Sequence, residues 1–156
     1  MKKLATIFAF YVLFIAPVFS QETTNQAFEI KVITSVESVV PSGLGRSRIL
    51  SSNDERDYEQ FSSEQTDDKS SRNKAKRKDI RVKNFEETKL LNFYNLGGIR
   101  FQNIVANDAV ISSKLTAMLS EGWDLIFVTS AVESDAGDND DNGIFITRYI
   151  FKRTLN

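Results

Sequence analysis

A block of dense, segregated charge in the middle of the chain sets the main constraint on the fold. Residues 54–68 hold seven acidic residues against one basic residue, and residues 69–83 hold eight basic residues against one acidic residue. Such a segment cannot bury enough apolar surface to offset the entropy lost on ordering. We therefore predict a disordered insertion over residues 51–83. The segments on either side of it, residues 21–50 and 84–156, must then fold together as one domain.

The first twenty residues have the pattern of a cleavable signal peptide. Lys2 and Lys3 precede an almost wholly apolar run over residues 4–19, and Ser20 offers a small residue at the cleavage position. An uncleaved membrane anchor is the alternative, but the run is shorter than the roughly 20 residues that cross a bilayer. We predict cleavage before Gln21, export to a bacterial periplasm or exterior, and no stable membrane insertion afterwards.

The absence of cysteine and histidine excludes several classes of site. The 156-residue sequence contains neither residue. It can therefore form no disulfide, no Ser-His-Asp triad, no thiol nucleophile and no Cys/His zinc site. The formal net charge of −1 also disfavours nucleic acid as a partner.

Alternating and helical patterns on both sides of the insertion predict an α+β fold. Residues 28–40 alternate as a strand, and residues 88–105 suggest two strands in a hairpin at Gly97-Gly98, or one bent strand. A helix is predicted from an N-cap at Asn107 to a C-terminal Gly122, followed by strands at 125–132 and 144–153.

These elements predict a small antiparallel sheet of four to five strands with one helix packed on one face. The even-numbered residues at the start of the first strand and the apolar stripe of the helix should meet in the core. The predicted core residues are Phe28, Ile30, Val32, Leu115, Leu119, Trp123, Leu125, Phe127, Ile146 and Ile150.

The C-terminal part resembles a small bacterial family of domains of unknown function. Residues 115–125 read LTAMLSEGWDL, and residues 149–153 read YIFKR. Members of that family end a helix in Glu-Gly-Trp-Glu/Asp-Leu and finish on a Tyr-x-Phe-Lys-Arg strand. The resemblance covers residues 115–153 and implies a strand-helix-strand-strand sheet, but it implies no activity and no functional residue.

The acidic loop before the last strand is a candidate calcium site. Asp138, Asp140, Asn142 and Gly143 match the first half of a calcium-binding loop, and Glu133 and Asp135 could add carboxylates. The twelfth position is Tyr149, where a bidentate Glu is expected. A solvated turn at Asn142-Gly143 is the alternative. No other cofactor is predicted.

Three further features carry weaker predictions. Residues 42–48 place two glycines beside Arg46 and Arg48 and could hold an anion, although a simple turn explains them as well. The basic run over residues 72–83 could contact an anionic polymer, or it could be neutralised by the acidic block upstream. Carboxylate pairing is the remaining route to acid-base chemistry, and its candidates, by elimination, are Glu86, Glu87, Glu121 and Asp124.

These patterns indicate an exported, non-catalytic binding module whose partner is a protein or an envelope polymer. Well-formed strands without a visible catalytic constellation favour binding through a sheet face or edge. A calcium-dependent binding or structural domain is the first alternative. A small carboxylate-dependent hydrolase of envelope polysaccharide is the second.

Overall fold

A five-stranded antiparallel sheet with one long helix against it forms the main body of the protein. The computed structural model describes residues 27–38, 47–95, 97–133 and 143–155. In chain order, the elements are β1 (Phe28–Ser38), β2 (Arg48–Ser52), β3 (Glu64–Gln65), β4 (Ser70–Ser71), α1 (Arg77–Ile80), β5 (Phe85–Lys89), β6 (Tyr94–Asn95), β7 (Gly98–Ile99), α2 (Phe101–Ser120), β8 (Asp124–Val132) and β9 (Ile144–Thr154). The sheet order is β5-β2-β1-β9-β8. The predicted α+β class, with one helix on a sheet, is confirmed.

The first strand is present where the sequence predicts it, but the opposite face of the strand is buried. Ile33, Ser35 and Glu37 face α2 and are buried. The residues predicted to enter the core are exposed instead, with 56%, 48% and 42% of their surfaces accessible for Phe28, Ile30 and Val32. The prediction was wrong because it took the more apolar side of β1 as the inner side, whereas α2 packs on the other.

The core itself is small and lies between α2 and this inner face. Its buried members are Ile33, Ile49, Leu90, Ile111, Met118, Trp123 and Phe151, with Leu115 and Tyr149 packed against them. Of the other predicted core residues, Ile146 and Ile150 are half-buried, whereas Leu119, Leu125 and Phe127 are exposed. The face of the sheet turned away from α2 is called the open face below.

The long helix begins earlier than predicted. It starts at Phe101, so residues 101–105 are helical rather than extended, and Asn107 lies inside the helix instead of capping it. Ile104, Asn107 and Ile111 follow one another at helical spacing along the face that packs on the sheet. The polar Asn107 in this stripe interrupts the apolar pattern, which is why the sequence pattern predicts the start of the helix there.

The end of the helix matches the prediction in detail. Gly122 has a φ of +83°, the left-handed conformation that favours glycine. Its N–H donates to the carbonyl of Leu119, and the N–H of Trp123 donates to the carbonyl of Met118, both at 3.1 Å. This is a Schellman motif, and the buried side chains of Trp123 and Met118 supply its hydrophobic contact.

The middle of the sheet contains two strands that were not predicted. β2 runs antiparallel to β1, with Ile33 opposite Ser51 and Val36 opposite Arg48. β5 runs antiparallel to β2 on its other side. The hairpin predicted at Gly97-Gly98 is confirmed in a much shorter form, as the two-residue strands β6 and β7.

Residues 53–84 leave the sheet between β2 and β5 and return to it. They contain a 3-10 turn at Tyr58–Phe61, the small β3–β4 hairpin and the one-turn α1. None of these residues is buried. The two ends of the excursion lie side by side, because the N–H of Asn53 donates to the carbonyl of Asn84 at 3.1 Å. The predicted insertion therefore starts after β2, and its ends continue the β2–β5 ladder.

The chain divides into two compact units, of which Phe28–Arg153 is the larger. The smaller unit comprises the two chain ends, and in it the N–H of Leu155 donates to the carbonyl of Ala27 at 2.8 Å. No helix in the described part of the chain is both long and apolar enough to cross a membrane. The predicted signal peptide, residues 1–20, lies outside the described residues.

Candidate functional site

A crevice of about 630 Å³ opens beside the first half of β1. Its size is that of an ordinary ligand pocket. One wall is the stretch from Glu29 to Val32, and the other is the beginning of the excursion from Ser52 to Arg56. The lining residues are Glu29, Ile30, Lys31, Val32, Ser52, Asn53, Asp54, Glu55, Arg56, Trp123 and Arg153.

The crevice exists because β1 is longer than its neighbour β2. The ladder between them runs from Ile33–Ser51 to Val36–Arg48, so residues 28–32 of β1 have no partner in β2. After Ser52 the chain turns away from β1 and stays beside the start of β5. Arg56 holds it there, because its Nη2 donates to the carbonyl of Arg81 at 3.0 Å and to Asp54 Oδ2 at 3.2 Å.

The alternation of the strand fixes which backbone groups face the crevice. At the far end of β1 the N–H of Ser38 donates to Ser47 Oγ at 2.9 Å, on the β2 side. Since successive residues of a strand direct their N–H and C=O groups to opposite sides, Phe28 and Ile30 direct theirs towards the β2 side. That side is the crevice, so the wall carries a row of backbone donors and acceptors beside which no strand of the described residues lies.

A stacked group of charged residues and a tryptophan borders the crevice on the side of α2. The guanidinium of Arg153 lies 4.4 Å from the centre of the Trp123 ring, and Lys31 Nζ lies 5.9 Å from it. Arg153 Nε also donates to Glu29 Oε1 at 2.6 Å. Trp123 is buried, so it serves as the base of this stack and supports the cations.

Two of the three carboxylates that line the crevice are held in ion pairs. Glu29 is paired with Arg153, and Asp54 is paired with Arg56. The arrangement therefore offers hydrogen bonds, charges and apolar contacts to a bound molecule.

The residues predicted to bind calcium are only partly within the described chain. Asp135, Asp138, Asp140 and Asn142 lie outside the described residues, so the predicted site stays a prediction. Glu133 is exposed, and its N–H donates to the carbonyl of Ile144 at 2.9 Å. Within the described ranges, no group of three or more acidic side chains could hold a metal ion.

Only the last two residues of the predicted anion loop, Ser47 and Arg48, lie within the described residues. Residues 42–46 lie outside them. Ser47 is buried, and Arg48 belongs to β2, where it forms an ion pair with Glu87 across the ladder to β5. The basic run over residues 72–83 lies on the excursion, where none of its residues is buried.

The structure does not bring the four candidate acid-base carboxylates together. Glu86 faces α2 and pairs with Lys114, whose Nζ lies 2.9 Å from both carboxylate oxygens. Glu87 points to the other face of β5, where it pairs with Arg48. Glu121 and Asp124 are exposed at the end of α2 and the start of β8.

A buried polar network that was not predicted from the sequence joins α2 to the sheet. The side chain of Asn107 accepts from the N–H of Leu91 and donates to its carbonyl, both at 2.8 Å. The same amide nitrogen donates to Glu37 Oε1 at 2.9 Å. Burial raises the pKa of Glu37, the hydrogen bond from Asn107 opposes this, and the charge of Asp108 adds to it. A polar residue within an apolar helical stripe was the available signal.

The opposite side of the sheet carries apolar side chains that nothing in the described chain covers. Phe127 pairs with Ile150 and shares its side of the sheet, away from the buried Phe151. Phe28, Ile30 and Val32 of β1 lie on the same open face, as does Phe85 of β5. Lys152 Nζ lies 4.6 Å from the centre of the Phe28 ring. Exposed apolar surface of this extent is typical of interaction sites.

No family model matches this chain, and no curated protein or solved structure matches it either.

Proposed function

We propose that this chain is an exported, non-catalytic binding module that takes up an extended peptide segment of another envelope protein in the crevice beside β1. The observation that carries the proposal is the free part of β1. Its backbone groups at Phe28 and Ile30 face a cavity of about 630 Å³ instead of a neighbouring strand. Addition of a strand to such an edge is an established mode of peptide recognition.

The bound segment would continue the line of β2 along β1. An extended chain rises about 3.3 Å per residue, so a segment of about five residues matches the stretch from Phe28 to Val32. Its backbone would exchange hydrogen bonds with Phe28 and Ile30, which supplies affinity independent of sequence. Because β2 already forms the same kind of ladder one step further along β1, the geometry of the added strand is set by the existing sheet.

The two faces of β1 give the segment a sequence preference. On the open face its side chains would lie beside Phe28, Ile30 and Val32, which are apolar. On the other face they would lie beside Lys31 and the Arg153–Glu29 pair over Trp123. We therefore expect alternate apolar and polar residues in the bound segment, with an acidic residue favoured beside Lys31.

The test is selection of a displayed library of random heptapeptides on the purified protein, compared with Ile30→Pro and Ile30→Ala. Proline removes the N–H that faces the crevice, but it breaks no bond to β9, since Ile30 points the other way. Alanine keeps the N–H and removes only the side chain. We expect alternating apolar peptides to be enriched by the wild type, to be retained with reduced affinity by Ile30→Ala, and to be lost with Ile30→Pro.

Two results would contradict the proposal. One is equal enrichment by the wild type and Ile30→Pro, with unchanged melting temperatures, because the free backbone edge would then contribute nothing. The other is binding to envelope polysaccharide with no enrichment of any peptide.

A further inference from the structure

The outer edge of the sheet at β8 has features that the crevice does not explain. β8 is nine residues long, pairs only with β9 among the described strands, and is exposed along its whole length. Between Asp124 and Glu133 it carries no charge and no proline. Sheet edges are normally protected by charged residues, short length or covering segments, so an edge of this kind is a ready template for another strand.

The other edge of the sheet shows the protection that β8 lacks. β5 has five residues, and three of them, Glu86, Glu87 and Lys89, are charged. Both carboxylates are held in ion pairs, with Lys114 and with Arg48. The two edges of the sheet thus differ in length and charge, and the difference points to β8 as the edge that is available to pair with a further strand.

The hydrogen-bond alternation of β8 identifies the residues that face outward. The N–H of Glu133 donates to Ile144 of β9, so the backbone groups of every second residue before it, down to Phe127, also point to β9. The groups of Val128, Ser130 and Val132 therefore point to the free edge. Val128 lies at the centre of the strand.

We propose that the β8 edge pairs with the β8 edge of a second copy of this chain, antiparallel and about a two-fold axis at Val128. In that register Val128 of each copy exchanges both backbone hydrogen bonds with Val128 of the other. The first half of the strand carries the bulky residues Leu125, Ile126 and Phe127, and the second half carries the small residues Thr129, Ser130 and Ala131. Antiparallel pairing sets Phe127 of each copy beside Thr129 of the other, and the bulky half, which contains an irregularity between Leu125 and Phe127, against the small half of the partner.

This dimer is independent of the proposed peptide crevice, since the two surfaces lie on different strands. Two five-stranded sheets would join into one of ten strands, and the open faces of the two copies would become continuous. The paired edge is small compared with stable dimer interfaces, so we expect dissociation constants of about 1–100 µM.

Opposite charges at position 128 test the two-fold register directly. Val128 is 47% exposed, so a charged side chain is accommodated in the monomer. Val128→Lys alone and Val128→Glu alone each place like charges directly opposite one another in the dimer, which disfavours pairing. Mixing the two variants places Lys against Glu. Only a two-fold axis at this residue predicts that the mixture recovers what each variant loses.

The measurement is sedimentation velocity of the purified protein over about 5–500 µM. We expect reversible dimerisation of the wild type, a dissociation constant at least about tenfold higher for each variant, and recovery in the equimolar mixture. A wild type that stays monomeric throughout would overturn the proposal and leave β8 to a different chain. A dimer that is unchanged by Val128→Lys, or variants that stay apart when mixed while melting like the wild type, would also overturn it.

Discussion

The two faces of β1 differ in a direction opposite to their hydropathy. The face that packs on α2 presents Ile33, Ser35 and Glu37 of β1, of which only the first is apolar. The open face presents Phe28, Ile30 and Val32 of the same strand. The apolar area of β1 alone would favour the reverse order, whereas the inner face of the neighbouring strands contributes the buried Ile49 and Phe151.

The buried network of Asn107 supplies the missing criterion. Its amide clamps the backbone of Leu91 with two hydrogen bonds and holds Glu37 with a third. Buried polar groups are costly unless each finds a partner, so they specify one docking position more sharply than apolar contacts do. The helix is therefore positioned by polar as well as apolar contacts, and the more apolar side of β1 is left exposed.

The test with the largest expected effect compares two phenylalanines on the neighbouring strands β8 and β9. Phe151 is fully buried on the helix side, whereas Phe127 is 59% exposed on the open face. We expect Phe151→Ala to lower the free energy of unfolding by about 3–5 kcal/mol and Phe127→Ala by less than about 1 kcal/mol. Chemical denaturation of both variants measures this. Equal losses would mean that the open face is covered in solution.

The second test removes the polar clamp. Asn107→Ala leaves the N–H and C=O of Leu91 and the carboxylate of Glu37 without their partner, so we expect a loss of about 2–4 kcal/mol. Asn103→Ala is the matched control on the same helix, because Asn103 makes one partly buried bond to the carbonyl of Asn92 at 2.8 Å. Its expected cost is about 1 kcal/mol. The two variants are compared by urea denaturation. A smaller loss for Asn107→Ala than for its control would refute the role of the clamp.

The third test uses the raised pKa of Glu37, which results from burial. Because the folded state binds this proton more tightly than the unfolded state, Glu37 contributes stability as pH falls through its raised pKa towards the ordinary value of 4.5. That contribution is lost as pH rises again. Glu37→Gln has no charge to bury, so its advantage over the wild type should be greatest at neutral pH and shrink in acid. Urea denaturation at several pH values measures the difference, and a pH-independent one would contradict the assignment.

The smallest expected effect belongs to the open face of β1. Ile30→Thr and Val32→Thr together keep the β-branched shape while reducing apolar surface, and we expect less than about 1 kcal/mol of destabilisation. Ile33→Thr makes the same chemical change one residue further on, in the core, and should cost about 2–4 kcal/mol. Thermal melts of the two variants make the comparison. It fails if the outer pair proves as costly as Ile33→Thr.

Sequence patterns predicted the elements that interactions between residues close in sequence determine. The Schellman motif at Gly122 was predictable because a glycine after an apolar helical stripe, followed by Trp123, requires only short-range chemistry. β8 and β9 were predictable from their β-branched and aromatic content. The start of α2 was not, because Asn107 resembles an N-cap in sequence and acts as a buried anchor only once Leu91 and Glu37 are in place.

The sequence predicted binding through a sheet face or edge, but it did not predict the crevice beside β1. The sequence predicted β1. The crevice, however, depends on where β2 ends, and β2 was not predicted because it adjoins a long polar segment. The inner face of β1 depends on a helix from much later in the chain, as does the stack of Arg153 and Lys31 on Trp123. Such long-range pairings leave no periodic signal within any one segment.

The closure of the excursion at Asn53 and Asn84 has an engineering consequence. Since these residues already occupy neighbouring ladder positions, the chain between them can be exchanged for a two-residue turn without moving β2 or β5. The loop-closure entropy that the longer connection costs would be recovered, in an amount that grows only with the logarithm of the length removed. The same junction could accept an inserted folded domain, provided that the N- and C-termini of that domain lie close enough to join Asn53 and Asn84.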